Sequence, residues 1–174
     1  MKKIVALLSL LFIVGCGNST PALKGEIVSC STINTIADPA KTIDAECLDG
    51  GSGVNVAAIK GPAIINVWGS WCAPCKDELP YFVEFNRNQG GKVLLVGIDV
   101  EEKNAQDGRA FAIEQGMNWP NLYDRKGVTR KYFGMGVPVT WFIDSDGKVV
   151  HKKIGSIKST DELRSLSKKY LGVS

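Results

Sequence analysis

Residues Ala63 to Trp68 form an almost continuous apolar run, as a central strand covered on both faces requires. Lys92 to Val100, carrying Val93, Leu94, Leu95, Val96 and Ile98, reads as the next buried strand. Between them, Leu79, Phe82, Val83 and, less regularly, Phe85 mark the core side of a helix predicted over about 72–87. Pro80 lies inside that helix and is expected to remove one ladder bond and kink it. Strand, helix and strand then form a βαβ unit with a parallel pair.

Shorter elements flank this unit. Ile43, Ala45 and Cys47 alternate through a strand over Thr42 to Leu48, turned by Asp49-Gly50-Gly51. Val54 to Ile59 is a second short element, ended by Gly61-Pro62. A helix over about 104–116 has Ala105, Ala110, Phe111 and Ile113 as apolar positions and Gly116 as C-cap. Asn121 to Asp124 reads as a short strand and Val128 to Phe133 as a short helix, with Trp119 a packing residue. Val139 to Ile143 and Lys148 to Lys152 flank Asp144-Ser145-Asp146-Gly147 as a β-hairpin, which leaves His151 exposed. Ser159-Thr160-Asp161-Glu162 is a capping box, and Leu163, Leu166, Tyr170 and Leu171 give the terminal helix its packing face.

The chain start follows different rules. Lys2 and Lys3 precede an apolar stretch from Ile4 to Val14, and Gly15 stands before Cys16, the pattern of an export signal over residues 1–15. At about eleven residues the stretch is too short to cross a bilayer core of roughly 30 Å as a helix. Ile13-Val14-Gly15-Cys16 resembles a bacterial lipobox, which implies that Cys16 becomes the N-terminal residue and carries diacylglycerol on sulfur. An ordinary cleaved signal, or an uncleaved anchor with Cys16 incidental, is the alternative. Acyl chains add about 0.8 kcal/mol per buried CH₂, enough for several to hold a protein on a membrane. Residues 16–26 are small and polar and read as a tether, leaving 27–174 as the folded domain. Net charge is +3, and Lys2 and Lys3 carry two of those charges, so nothing points to nucleic acid or to strong electrostatic binding to membranes.

The candidate chemistry is Trp71-Cys72-Ala73-Pro74-Cys75, where the first apolar run hands over to the helix. Unpaired N–H groups and the macrodipole make a helix start electropositive. A thiolate there is stabilised, so Cys72 is expected to be reachable and acidic, with a pKa of roughly 7 or below. Cys75, one turn further in, can attack a mixed disulfide formed at Cys72. Pro74 falls in the first turn, where a missing N–H costs little. A zinc site would need a second close ligand pair, and Cys30, Cys47 and the single histidine do not give one. A c-type haem site would need His where Lys76 stands. The remaining alternative is a purely structural disulfide. Asp99, Glu101 and Glu102 read as a solvated strand exit and not a metal site. Of the five cysteines, Cys16 is assigned to lipid and Cys72 pairs with Cys75, which leaves Cys30–Cys47. That bridge would be a structural staple, with a second redox pair as the alternative.

Asn66-Val67-Trp68-Gly69-Ser70-Trp71-Cys72-Ala73-Pro74-Cys75-Lys76-Asp77-Glu78-Leu79-Pro80 resembles the active-site segment of the TlpA/ResA-like thioredoxin family, Val67 and Gly69 being mild departures. The resemblance continues through Gly136-Val137-Pro138-Val139-Thr140-Trp141-Phe142-Ile143-Asp144 and covers about residues 43–171. It implies an α/β thioredoxin-like fold, a central mixed sheet with helices on both faces, here with an N-terminal extension. It also implies that the helix over about 104–116 and the two elements after it form the family's insertion. By the same resemblance Val137-Pro138 is a cis peptide facing the cysteines, and Trp71, Val137 and Pro138 position the substrate. Glu78 is implied in the proton chemistry of Cys72 and Cys75. Ordinary thioredoxins carry a buried Asp where Asn66 stands, which makes Glu78 the candidate to receive the Cys75 proton, its pKa raised by burial. A solvated surface glutamate is the alternative.

These readings converge on a membrane-anchored, extracytoplasmic thiol–disulfide oxidoreductase of exported proteins, needing no cofactor or metal. The resemblance names apocytochrome c as one possible substrate of a reductase and a transmembrane thiol electron relay as its recharging partner. A disulfide-forming oxidase is the nearest alternative; no His lies between the cysteines to favour it. A peroxidase of the peroxiredoxin kind would place Pro and Thr where Ile65 and Gly69 stand. A non-catalytic binding lipoprotein is the third.

Overall fold

The structure is a computed structural model that describes residues 24–134 and 136–173. The export signal of 1–15 and Cys16 lie outside the described residues. Among the described residues no helix is long and apolar enough to cross a membrane.

Seven strands form one mixed sheet: β1 (Asp44–Cys47), β2 (Val54–Asn55), β3 (Ala63–Trp68), β4 (Leu94–Val100), β5 (Asn121–Asp124), β6 (Val139–Ile143) and β7 (Val149–Ile154), in the order β2-β1-β5-β4-β3-β6-β7. β3 and β4 are parallel, as are β4 and β5, and the remaining pairs are antiparallel. Every residue of β3, β5 and β6 is buried, which is why β3 and β6 read as mainly apolar runs without alternation.

Helices α1 (Ala73–Asn88), α2 (Ala105–Glu114) and α4 (Thr160–Leu171) send Leu79, Phe82, Phe111 and Leu163 into one core with Ile64, Trp68 and Phe142 of the sheet. The opposite face is covered more lightly. Short helix α3 (Arg130–Phe133) and the N-terminal segment carrying Cys30, Ile33, Val56 and Ile59 pack there against Ile65, Val67, Val96 and Ile98. The fold is α/β and thioredoxin-like, and the short element expected over Val54 to Ile59 is strand β2 followed by a 3-10 turn at Val56–Ala58. α1 runs on through Pro80.

One boundary and one exposure differ from expectation. Docking of the domain begins within the expected tether, where Gly25 N–H donates to Ile113 O at 2.8 Å and Glu26 N–H to Met117 O at 2.9 Å. His151 is half-buried, not exposed, because its ring stacks on Tyr170 of α4 at 4.0 Å with 6° between the planes. Ser159 does cap α4, accepting from Glu162 N–H at 3.0 Å, while Glu162 reaches back to Lys158 N–H at 2.7 Å.

Cys30 and Cys47 are joined by a disulfide, 17 residues apart in sequence, that ties the N-terminal segment to β1. Closing a loop of that length stabilises by about 3 kcal/mol on chain-entropy grounds. Replacing both cysteines by Ala is expected to lower unfolding free energy by that order, read from urea denaturation, while thiol exchange at Cys72 persists.

Candidate active site

β3 ends at Trp68 and α1 begins at Ala73, so four residues carry the chain across the end of the sheet. They are tightly anchored. Ser70 N–H donates to Glu102 Oε1 at 2.6 Å, Trp71 Nε1–H to Val100 O at 3.2 Å, and Cys72 N–H to Gly69 O at 3.0 Å. Cys72 is the N-cap of α1 (φ −88°, ψ 102°), and Pro74 sits in the first turn. The Cys75 N–H points at Cys72 Sγ from 3.2 Å, one of the helix-start donors that would stabilise a thiolate.

Cys72 and Cys75 form a disulfide. Cys75 is 0 % exposed and Cys72 only 4 %, so Cys72 is less open than the sequence implied. It still lies in the surface layer, since its chain neighbours Trp71 (54 % exposed), Ala73 and Pro74 are all open to solvent. The asymmetry fits a pair in which only the first sulfur can be met from outside.

A cleft of about 210 Å³ opens beside Trp71, walled by Val67, Val100, Phe133 and Val137 and flanked by Glu101 and Arg130. Glu101 is held at φ 64°, and its carboxylate pairs with Arg130. The Val137–Pro138 peptide is cis. Pro138 is buried with its carbonyl accepting from Gly155 N–H at 3.0 Å, while Val137, half-buried, packs against the core that holds both active cysteines. Strand register of β6 starts at Val139, so the Val137 backbone stands outside the sheet.

Glu78 is 0 % exposed, one turn after Cys75, and is not a surface residue. Asn66 Nδ2–H donates to its Oε1 at 2.7 Å and Ile157 N–H to its Oε2 at 2.7 Å. Burial pushes its carboxyl from the ordinary 4.5 up to about 7, against the opposing pull of those two hydrogen bonds and of Lys158 and Lys153. Such a group exchanges a proton near neutral pH.

The acidic residues after β4 correct the sequence reading of a solvated strand exit. Asp99 is 0 % exposed because α2 lies across it, with Gly108 giving the room its carboxylate fills. Glu102 is buried as the anchor of Ser70. Only Glu101 keeps partial exposure. Neither Asp99 oxygen has a hydrogen-bond partner among the described residues. Burial first, then the charges of Glu102 and Asp107, raise its carboxyl from 3.8 to about 8. The native chain therefore holds a proton that the unfolded chain has released. The stability this gives is complete below pH 3.8 and lost as pH rises to about 8. Asp99→Asn is expected to remove a decline of up to about 1.4 kcal/mol per pH unit across that window, read from denaturation curves at successive pH values. Asn121 is a further residue the sequence did not flag: its Oδ1 accepts from Trp68 Nε1–H at 3.1 Å and so fixes the end of β3. His151 stays apart from the site, its pKa lowered by burial and by Lys169 and Lys153.

The sequence model of the AhpC/TSA family matches residues 36–152. The chain belongs to the AhpC/TSA family. Its relatives there include the thioredoxin-like protein YneN of Bacillus subtilis, 29 % identical over 96 residues, covering 54 % of this chain and 56 % of YneN. The thiol-disulfide oxidoreductase ResA of Bacillus thuringiensis is 30 % identical over 122 residues, covering 68 % of this chain and 69 % of ResA. The crystal structure of StoA from Bacillus subtilis superposes with a TM-score of 0.60 at 27 % identity, covering 76 % of this chain and 99 % of StoA. The TlpA/ResA-like resemblance read from the motifs is thereby confirmed, and with it the thioredoxin-like fold. With Cys72 and Cys75 bonded at the start of α1, the chain is a thiol–disulfide oxidoreductase of the ResA type.

Proposed function

We propose that this oxidoreductase works outside the cytoplasm, held to the membrane by lipid on Cys16, and reduces disulfides in exported proteins, apocytochrome c among them. A transmembrane thiol relay returns it to the dithiol state. Cys72 attacks the substrate disulfide, Cys75 resolves the mixed disulfide, Glu78 takes the Cys75 proton, and Trp71, Val137 and Pro138 position the partner. The observation that carries this reading is the Cys75 N–H aimed at Cys72 Sγ, with a buried carboxyl titrating near 7 one turn below. Export is supported by the charged and apolar leader and by the Cys30–Cys47 bridge, since such bonds persist in oxidising compartments. The peroxidase reading loses ground because Ile65 and Gly69 stand where Pro and Thr are needed.

The reduction potential of the Cys72–Cys75 pair tests the direction of electron flow. A value near thioredoxin's, about −270 mV, is expected of a reductase; one near −120 mV would assign an oxidase. Palmitate labelling of the whole cell product tests the anchor. Label lost in Cys16→Ala is expected, and its absence from the unaltered chain would remove the anchor.

A further inference from the structure

Asn66 is held at one end only. Its Nδ2–H is given to Glu78, while its Oδ1, on a residue 2 % exposed, has no hydrogen-bond partner among the described residues. Thr140, 0 % exposed, has an Oγ1 in the same condition. The two residues are direct partners across the antiparallel β3–β6 pair. Both face α1, because Asn66 alternates between Ile64 and Trp68, and Thr140 is two residues before Phe142, and those three pack in the α1 core. A buried polar atom left unpaired costs about 1–3 kcal/mol. Two of them stand on one register pair, and one belongs to the amide that donates to a carboxyl titrating near 7, so they call for a use.

The chemistry of the three groups supplies one. As a carboxylate, Glu78 only accepts, and Asn66 Nδ2–H and Ile157 N–H satisfy it. Once protonated on Oε1, it becomes a donor facing another donor. Turning the Asn66 amide over presents Oδ1 to the new O–H and sends Nδ2–H toward Thr140. An amide offers a donor at one end and an acceptor at the other, and a hydroxyl can be either. Asp at position 66 could not make this exchange while ionised.

We propose that Asn66 and Thr140 are positioning residues of a reversible relay, in which the Asn66 amide turns over as Glu78 gains or loses its proton and the Thr140 hydroxyl partners whichever end faces it. The relay rests on the assignment of Glu78 as the acceptor of the Cys75 proton. The proton leaves Cys75 Sγ for Glu78 as Cys75 bonds to the Cys72 sulfur and the sulfur held by Cys72 departs as a thiolate, so no outside oxidant is required. The other charged or titrating groups facing Glu78 are Lys153 of β7, Lys158 before α4, and Cys75 on its own helix. β3 and β6 bring it no charge at Asn66 or Thr140.

The test is the pH dependence of disulfide exchange by the full chain, compared among wild type, Thr140→Val, Thr140→Ser and Glu78→Gln. Thr140→Val keeps the shape and removes the hydroxyl, deepening the desolvation of Glu78. The midpoint near 7 is expected to rise by about half to one pH unit. Thr140→Ser, which retains the hydroxyl, is expected to restore the wild-type midpoint. A wild-type midpoint in Thr140→Val overturns the relay, as does a Thr140→Ser profile displaced as far as that of Val. If the limb disappears in Glu78→Gln yet stays fixed in Thr140→Val, only the relay falls. A limb that survives Glu78→Gln overturns the Glu78 assignment and the relay with it.

Discussion

Cys72→Ser is expected to abolish exchange with a model disulfide, by at least about a thousandfold, because the group that forms the mixed disulfide is gone. Cys75→Ser should behave differently. Its Cys72 can still attack, but nothing resolves the product, so the protein accumulates as a mixed disulfide visible by mass. The contrast follows from burial. Cys75 is wholly enclosed beneath Cys72 and can meet only a sulfur already bonded there. Equal loss without trapping in both variants would return the pair to a structural staple.

Glu78→Gln carries the second large effect. The expected result is a fall of about ten- to a hundredfold in exchange at neutral pH and loss of the limb near 7 in the pH profile. The sign for stability is fixed by the same shift. Glu78 has its folded-state pKa raised from 4.5 to about 7, so the native chain holds an extra proton between those values. The stability it brings is complete below pH 4.5 and lost as pH rises to about 7. In Glu78→Gln that slope should vanish from denaturation curves, while the Asp99 slope, which extends to about pH 8, remains. Measuring both variants separates the carboxyl one turn after Cys75 from the one buried beneath α2.

Much of this was readable from residue order because the central strands are buried on both faces. Ala63 to Trp68 appears at the bounds that its apolar run indicated, and Asn121 to Asp124 at those of the short strand expected there. The Cys pair was readable because a strand hands directly to a helix around it. Glu78 was readable through the family resemblance and through Asn66 standing where ordinary thioredoxins carry a buried Asp. What escaped depends on elements that return from far along the chain. Asp99 and Glu102 look like a solvated strand exit until α2 folds over the first and the Ser70 loop reaches the second. His151 looked exposed because nothing in a hairpin pattern reveals that Tyr170 will stack on it. Asn66 and Thr140 lie 74 positions apart in numbering and meet only through the β3–β6 register. The near-closure of Cys72 is likewise a tertiary fact, set by packing of the loop anchored to Val100 and Glu102.

That near-closure sharpens the central question, since apolar burial raises a thiol pKa while a helix start lowers it. The most direct measurement is the rate of alkylation of Cys72 in the reduced chain as a function of pH, with the labelled residue identified by mass. A midpoint of roughly 7 or below is the result expected if the donors at the start of α1 dominate. A midpoint at or above the ordinary thiol value of about 8.5 would contradict it.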